Sequence, residues 1–328
     1  MKIAIIGCGA IGGYVGARLA LAGEQVTFMV RGANLEAVRA RGVRLIASDG
    51  SEEVAREVTA TREYGEPGAQ DVVILAVKAH QLDAVATDVP RLFGAHTAVV
   101  TMQNGIPYWY FHEHGGALAG TVLHSVDPTG QVSGNIPAAR VIGCVVYPAA
   151  ELVAPGVVRV IEGDRFPVGE LDGTSSERVT RIGQCLASAR LKSPVLSDIR
   201  SEIWLKLWGN LTFNPISALT RATLIDICQC APTRELAVAM MSEAQSVAHK
   251  LGITFRVPLE RRIAGAEKVG KHKTSMLQDV EAGRPLEIEA LLGSVVELAR
   301  LTQTPTPHID TVYALSHLLA RTLTPGSA

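Results

Sequence analysis

The chain opens with Lys2-Ile-Ala-Ile-Ile6 followed directly by Gly7-Cys-Gly-Ala-Ile-Gly12, and this stretch decides the fold. Its apolar part predicts a strand that is buried on both faces in a parallel sheet. A helical pattern follows over residues 12–22, and residues 25–30 are again rich in strand-forming side chains. The order strand, helix, strand predicts a β-α-β unit.

The glycine spacing matches G-x-G-x-x-G and stands where a strand leads into a helix, which is the context that the dinucleotide fingerprint requires. Gly7 would permit the tight turn, Gly9 would let the backbone approach a pyrophosphate, and Gly12 would allow close packing of helix and strand. A structural turn and a site for a nucleotide-type methyl donor are the alternatives. The predicted cofactor contacts here are Gly7, Cys8, Gly9, Ala10, Ile11 and Gly12.

The residue after the second strand indicates which dinucleotide would bind. An NAD site carries a carboxylate there for the ribose 2′-hydroxyl, whereas this chain has Arg31 and no acid before Glu36. A guanidinium suits a 2′-phosphate through paired, charge-assisted hydrogen bonds. We therefore predict NADP(H) as the cofactor, with a solvated arginine at a strand end as the alternative.

The rest of the chain predicts two regions of different architecture. Strands at 71–77 and 98–102, with a helix at 81–92 between them, extend a doubly wound parallel α/β sheet. Residues 143–169 predict antiparallel strands added at the sheet edge. After Ser197 the pattern is helical, with predicted helices at 198–214, 232–251, 258–281 and 285–302. We predict a first domain at 1–197 and an all-helical second domain at 198–328, with a frayed tail at 324–328.

Composition excludes several classes of protein and partner. The 31 basic and 32 acidic residues nearly cancel, so we expect neither nucleic acid nor an anionic membrane as a partner. We expect no membrane-spanning segment and no signal peptide. Five scattered cysteines fit a reducing compartment, which predicts a cytoplasmic protein. The apolar helices of the second half are compatible with a homodimer.

A polar stripe is predicted on one helix of the second half. Lys206, Asn210 and Asn214 are spaced four residues apart among large apolar side chains, so they share one helix face. Buried polar groups need partners, which favours a wet cleft. A solvent-facing stripe fits the spacing equally well. Pro215 is expected to end or kink this helix.

A second polar segment follows from Ser275 to Glu287. Ser275 and Asp279 would share a helix face, Gly283 would close that helix, and Glu287 would lie in the first turn of the next one. Favourable interaction with the helix dipole is an alternative explanation of Glu287.

Taken together, the sequence resembles the ketopantoate reductase (2-dehydropantoate 2-reductase) family over nearly its whole length. The motifs that carry the resemblance are five, in the family's order: Gly7 to Gly12, Val77-Lys78-Ala79, Gln103-Asn104-Gly105, Lys206 with Asn210, Asn214 and Pro215, and Ser275 to Asp279 with Glu287. The resemblance implies a Rossmann domain and a helical domain with substrate and nicotinamide meeting in the cleft between them. It also implies hydride transfer from NADPH to a 2-oxo acid, as in pantothenate biosynthesis.

The family resemblance also implies a role for each residue. Lys206 would be the general acid, and Glu287 would pair with it and hold the substrate hydroxyl. The other implied contacts are Asn210 and Asn214 for orientation, Ser275 for the carboxylate, and Asn104 and Lys78 near the nicotinamide and ribose.

Three departures from the family pattern keep other substrates open. Thr223-Leu-Ile225 stands where the family often has Asn-Gly, and His272 stands where asparagine is expected. An aromatic, histidine-containing segment at 107–114 could line the cleft and change the substrate. Its His112 and His114 lack an evident third ligand, so we predict no metal site. The alternatives are a reductase of a larger carbonyl substrate, another dehydrogenase chemistry, and a non-catalytic NADP(H) sensor.

Overall fold

The computed structural model describes residues 1–323, and the tail predicted to fray, 324–328, lies outside the described residues. The chain divides into two compact units. The first contains residues 1–103, 108–122 and 129–199. The second contains residues 104–107 and 123–128 together with the chain from Arg200 onward. The two short segments lie within the predicted first domain, 1–197, but they group with the second unit.

The first unit alternates strands and helices. Its strands are β1 Lys2–Ile6, β2 Gln25–Met29, β3 Val43–Ile46, β4 Glu52–Ala55, β5 Val58–Thr61, β6 Gln70–Leu75, β7 Phe93–Thr101, β8 Val141–Cys144, β9 Ala149–Ala154, β10 Val157–Glu162 and β11 Val168–Gly169. Its helices are α1 Ala10–Leu21, α2 Ala33–Arg41, α3 Asp83–Ala86, α4 Gln131–Asn135 and α5 Glu177–Ser188.

A seven-stranded sheet with the order β11-β8-β7-β6-β1-β2-β5 forms the centre of this unit. All neighbouring pairs are parallel except β11 with β8. The central strands are apolar on both faces, as the uninterrupted apolar runs predicted, because helices cover a parallel sheet on both sides. The prediction of a doubly wound α/β fold is confirmed.

The strands predicted to extend the sheet edge are placed differently. Only β11 pairs antiparallel at that edge, whereas β9 and β10 form a hairpin in a separate four-stranded sheet with the order β4-β3-β10-β9. This second sheet packs on α1. Gly13 of α1 faces Val158 of the second sheet, and Gly16 faces Phe28 of the first. The hairpin's apolar face therefore covers the helix that follows the glycine turn.

The continuous helix predicted at 81–92 is wrong. The structure has 3₁₀ turns at Ala79–Gln81 and Val89–Leu92 with the single-turn α3 between them. Pro90 lies in the second 3₁₀ turn and has no N–H to donate to an α-helical carbonyl.

Within the described residues the second unit contains helices and no strand. Its helices are α6 Ile199–Thr220, which starts at the last residue of the first unit, α7 Leu224–Gln229, α8 Ala231–Lys250, α9 Leu259–Val269, α10 Ser275–Glu281, α11 Ser294–Leu301 and α12 Pro307–Leu323, with a π-helical segment at Glu289–Gly293. The predicted all-helical second region is confirmed.

Three helix boundaries differ from the prediction. The helix α6 does not end at Asn214 but continues past Pro215 to Thr220. Its residues after the proline are buried through Ala218, and their burial compensates for the hydrogen bond that proline removes. The helix predicted at 258–281 is broken by Gly270, whose φ of 83° is accessible mainly to glycine.

The third difference concerns Glu287. The helix predicted to start at Pro285 begins only at Ile288, so Glu287 lies in the non-helical stretch just before it and not in its first turn. The helix then opens with the π-helical segment Glu289–Gly293.

Candidate active site

The glycine turn joins β1 to α1 and leaves an open approach to its backbone. A Cβ atom at Gly12 would collide with the Gly7 carbonyl oxygen, and Gly7 itself has a φ of 97°. In contrast, a Cβ atom at Gly9 would meet no described atom within 4 Å. Gly9 is also the N-cap of α1, and no described side chain caps that helix start. The turn therefore presents free backbone N–H groups at a helix N-terminus, as a pyrophosphate requires.

The cysteine in this turn, Cys8, is a buried and unreactive residue. Cys8 is buried, and its burial raises the pKa of the thiol to about 12. The thiol therefore stays protonated and is not a nucleophile. The backbone carbonyl of Cys8 accepts a hydrogen bond from Asn34 Nδ2 at 3.3 Å, and Asn34 Oδ1 accepts one from Gly156 N at 3.0 Å. Asn34 thus ties the glycine turn to the β9–β10 hairpin, a contact that the sequence analysis missed.

Arg31 lies two residues beyond the end of β2 and is exposed. Among the described residues, no carboxylate forms an ion pair with it. Its charge acts on Tyr64: burial raises the pKa of that phenol to about 12, Asp88 adds to the rise, and Arg31 opposes it. The guanidinium is therefore available for an anion at the carboxyl end of β2, where the sequence predicted a 2′-phosphate.

Lys78 lies three residues beyond the end of β6 and is half-buried. Its backbone N–H donates to Gln81 Oε1 at 3.1 Å. Beside it, Gln103 Nε2 donates to the carbonyl oxygens of Leu75 and Val77 at 2.8 and 2.9 Å. Gln103 therefore fixes the chain at the ends of β6 and β7. Glycine turn, Arg31 and Lys78 all follow strand ends at the carboxyl edge of the sheet, where α/β folds bind their ligands.

In the second unit, Lys206 and Asn104 are joined by a hydrogen bond. Lys206 Nζ on α6 donates a hydrogen bond to Asn104 Oδ1 on the segment 104–107. A backbone hydrogen bond holds that segment in place: the Ile106 N–H donates to the Ala290 carbonyl oxygen at 3.1 Å. Gly105 has a φ of 88°, and a Cβ atom there would collide with the same carbonyl. Position 105 must therefore be glycine for the backbone to place Asn104 beside Lys206 in this way.

The polar stripe lies on α6 as its spacing predicted. Lys206 and Asn210 are half-buried, and Asn214 is 6% exposed. This burial argues against a solvent-facing stripe. Asn214 Nδ2 lies 3.5 Å from Ser275 Oγ, a long hydrogen bond to the first residue of α10. The structure thus joins Lys206 to Asn104 and Asn214 to Ser275 within one unit.

Glu287 lies two residues before the π-helical segment and is half-buried. Its carbonyl oxygen accepts a hydrogen bond from Leu291 N at 3.3 Å. A π-helical turn is rare and is frequent at functional sites. The same π-helical segment carries the Ala290 carbonyl oxygen, which accepts a hydrogen bond from Ile106 N. Glu287 and Asn104 are therefore both attached to this one widened turn.

One further residue in this unit was missed. Glu297 on α11 accepts hydrogen bonds from the backbone N–H groups of His124 and Ser125, each at 2.8 Å. It thereby holds the segment 123–128 in the second unit. No signal in the sequence links residues about 170 positions apart.

The aromatic segment that suggested a changed substrate belongs to the core of the first unit. Tyr108, Trp109, Tyr110 and Phe111 are all buried. Tyr108 Oη donates to the Ile136 carbonyl oxygen and Trp109 Nε1 to Thr101 Oγ1, each at 3.0 Å. The expectation that these rings line a substrate cleft is therefore not supported.

Residues 1–323 also bear on two other kinds of site. No helix there has both the length and the apolar character needed to cross a bilayer. Histidine, cysteine and acidic side chains in that part of the chain form no group of three or more that could hold a metal ion.

Comparison with known proteins identifies the family of the chain. The family of ketopantoate reductase PanE/ApbA matches residues 3–173, and the family of the ketopantoate reductase PanE/ApbA C terminal matches residues 198–320. A 2-dehydropantoate 2-reductase of Mesorhizobium japonicum is 55% identical over 98% of both chains.

Solved structures show the same likeness. A candidate ketopantoate reductase from Ralstonia solanacearum is 42% identical, covers 98% of both chains and superposes with a TM-score of 0.93. The 2-dehydropantoate 2-reductase of Methylococcus capsulatus is 28% identical, with a TM-score of 0.84 over 100% of this chain and 99% of that one. The chain therefore belongs to the ketopantoate reductase family, whose members are oxidoreductases that act on a CH–OH group with a nicotinamide cofactor.

Proposed function

We propose that this enzyme reduces 2-dehydropantoate to pantoate with NADPH, with Lys206 as the general acid. The observation that carries the proposal is the hydrogen bond from Lys206 Nζ to Asn104 Oδ1, in the unit that also holds Asn210, Asn214, Ser275 and Glu287. The relative at 55% identity is a 2-dehydropantoate 2-reductase, which supports the choice of substrate.

The residues of the first unit fit the cofactor. The open approach at Gly9 suits a pyrophosphate, and the available guanidinium of Arg31 suits the 2′-phosphate that distinguishes NADPH from NADH. Lys78 would reach the ribose. When bound, the reduced nicotinamide supplies a hydride to the 2-oxo carbon of the substrate.

The residues of the second unit would orient the substrate and supply a proton. Lys206 Nζ donates its proton to the substrate's carbonyl oxygen as negative charge develops there, and its own positive charge stabilises that oxygen. Asn104 Oδ1 holds the ammonium by accepting a hydrogen bond from one of its three N–H groups. Lys206 then recovers a proton from water.

The remaining polar groups would bind the parts of the substrate that do not react. Ser275 would donate to the carboxylate, and Asn210 and Asn214 would fix the orientation of the 2-oxo group. Glu287 would accept from the substrate hydroxyl and pair with the lysine. Such positioning raises the rate because the reacting atoms are held in the productive geometry before the reaction starts.

An NADPH-oxidation assay over a panel of 2-oxo acids tests the proposal. We expect the highest kcat/KM with 2-dehydropantoate and little activity with analogues that lack its hydroxyl. Preferred turnover of another 2-oxo acid would reassign the substrate. Tight NADPH binding without turnover of any panel member would instead favour the NADP(H) sensor.

Partners and location are predictions from the sequence. We propose a cytoplasmic enzyme with a small-molecule substrate, compatible with a homodimer and without a nucleic-acid or membrane partner. The odd number and scattered positions of the five cysteines are the basis of the predicted reducing compartment.

A further inference from the structure

A polar cluster on the second unit lies next to the π-helical turn. Glu289, the first residue of that turn, accepts hydrogen bonds from Tyr313 Oη at 2.9 and 3.1 Å. His317 Nε2 lies 3.0 Å from Glu289 Oε1, and the rings of Tyr313 and His317 meet edge to face at 4.5 Å. We call Glu289, Tyr313 and His317 the α12 clamp.

The clamp depends on a glycine and on a protonated tyrosine. A Cβ atom at Gly293 would collide with Glu289 Oε2 and lie 3.1 Å from Tyr313 Oη, so a side chain there would displace the carboxylate. Burial, and then the hydrogen bond to Glu289 and its charge, raise the pKa of Tyr313 to about 12. The phenol therefore remains a hydrogen-bond donor near neutral pH.

The turn that the clamp holds also seats the segment 104–107. The Ala290 carbonyl oxygen, one residue after Glu289, accepts hydrogen bonds from Ile106 N at 3.1 Å and from Ser294 Oγ at 2.8 Å. Gly105 packs against the same carbonyl. Any shift of the turn therefore moves Asn104, the acceptor for the Lys206 ammonium.

We propose that Glu289 is a positioning residue, which the hydrogen bonds from Tyr313 and the contact with His317 Nε2 keep in place so that the π-helical turn holds Asn104 against Lys206. Glu287, two residues before Glu289, is oriented by the same turn. The inference rests on the proposed function, because it assumes that Lys206 delivers the proton. Glu289 itself need not touch substrate or cofactor.

A pair of matched variants separates this role from a purely structural one. Glu289→Ala removes the clamp, and Glu243→Ala removes a carboxylate of α8 that contacts the start of α12. Glu243 accepts from His308 N, His308 Nδ1 and Ile309 N at 3.1, 2.6 and 3.0 Å, in the turn of α12 that precedes Tyr313. Both changes loosen α12, but only the first is expected to disturb the π-helical turn.

The first measurement is the rate of hydride transfer in a single turnover with saturating NADPH and 2-oxo acid. We expect Glu289→Ala to slow it by about 10- to 100-fold, the order of loss caused by a misplacement of about 1 Å. The Kd for NADPH should change less than about twofold, Glu243→Ala should keep the wild-type rate, and Glu289→Gln, which can still accept from Tyr313, should restore most of it. Equal slowing in both alanine variants would refute the proposal.

The second measurement requires no activity. Hydrogen exchange of the Ile106 amide should be at least about tenfold faster in Glu289→Ala and in the isosteric Tyr313→Phe than in the wild type, and unchanged in Glu243→Ala. Unchanged exchange in all variants would refute the proposal even if turnover falls. A wild-type enzyme that reduces no 2-oxo acid would refute the proposed function, whereas the exchange result would still decide whether the clamp holds the segment.

Discussion

An ammonium group can act as a general acid only if it is held where negative charge develops on the substrate. Asn104 fixes the Nζ atom of Lys206, which favours the proposed role of this lysine as the general acid. We expect Lys206→Ala to lower kcat by roughly 10² to 10⁴, the usual contribution of general acid catalysis, with an unchanged Kd for NADPH. Lys268→Ala removes an exposed lysine of the same unit and should have no effect. An unchanged kcat in Lys206→Ala would reassign the acid.

The proposed preference for NADPH over NADH also depends on a single side chain, that of Arg31. Hydrogen bonds to charged groups contribute about 1.5 to 3 kcal/mol each, so Arg31→Ala should raise the Kd for NADPH by about 10- to 100-fold. The Kd for NADH should stay the same, because NADH has no 2′-phosphate. Fluorescence titration measures both constants, with Arg62→Ala as the control, since Arg62 is exposed and pairs with Glu63. Equal weakening of both cofactors would show that Arg31 does not read the phosphate.

The thiol in the glycine turn gives a prediction about reactivity. Because burial raises the pKa of Cys8 to about 12, less than about one thiol in ten thousand is ionised at pH 7.5. We expect iodoacetamide to leave Cys8 unmodified in the native protein while the exposed Cys230 reacts, as peptide mass spectrometry would show. Rapid labelling of Cys8 would mean that the turn opens readily.

At the scale of elements, two glycines with different surroundings should respond oppositely to the same change. Gly105→Ala should lower both Tm and kcat, since its Cβ atom would collide with the Ala290 carbonyl at a φ of 88°. Gly265→Ala lies inside α9 with open space around it, and should stabilise the protein by about 0.5 to 1 kcal/mol. Thermal unfolding measures both. A stable, active Gly105→Ala would show that the loop does not need its present contact with the π-helical turn.

Elements were predictable where the deciding signal is local. The strand, glycine turn and helix at the start of the chain follow from a few adjacent residues, and Gly283 closes α10 as predicted, with a φ of 62°. The break at Gly270 and the late helix start after Glu287 were missed, since helical periodicity continues through both. The partner of the β9–β10 hairpin was also missed, because pairing with β3 depends on contacts more than 100 residues apart.

At the scale of the whole molecule, the sequence predicts candidate site residues but not how they group in the fold. Asn104 lies three residues beyond the end of β7, yet it belongs to the second unit because Ala290 and Lys206 hold it there. Neither contact has a signature in the sequence, since the partners lie more than 100 residues away. The near-zero net charge is compatible with anionic ligands, because the positive charge proposed to bind them is local, at Arg31, Lys78 and Lys206.

Stability and cofactor binding can be separated in the whole protein by two changes in one turn. Gly9→Val adds a side chain where the fold leaves open space and where a pyrophosphate would approach, so the Tm without cofactor should be unchanged. Wild-type protein with NADPH at 100 times its Kd should gain about 2.7 kcal/mol of stability, because the ligand binds only the native state; Gly9→Val should gain almost none. Gly12→Ala should lower the Tm without cofactor, since its Cβ atom would collide with the Gly7 carbonyl. Calorimetry with and without NADPH measures all three proteins, and a full stabilisation of Gly9→Val by NADPH would place the pyrophosphate elsewhere.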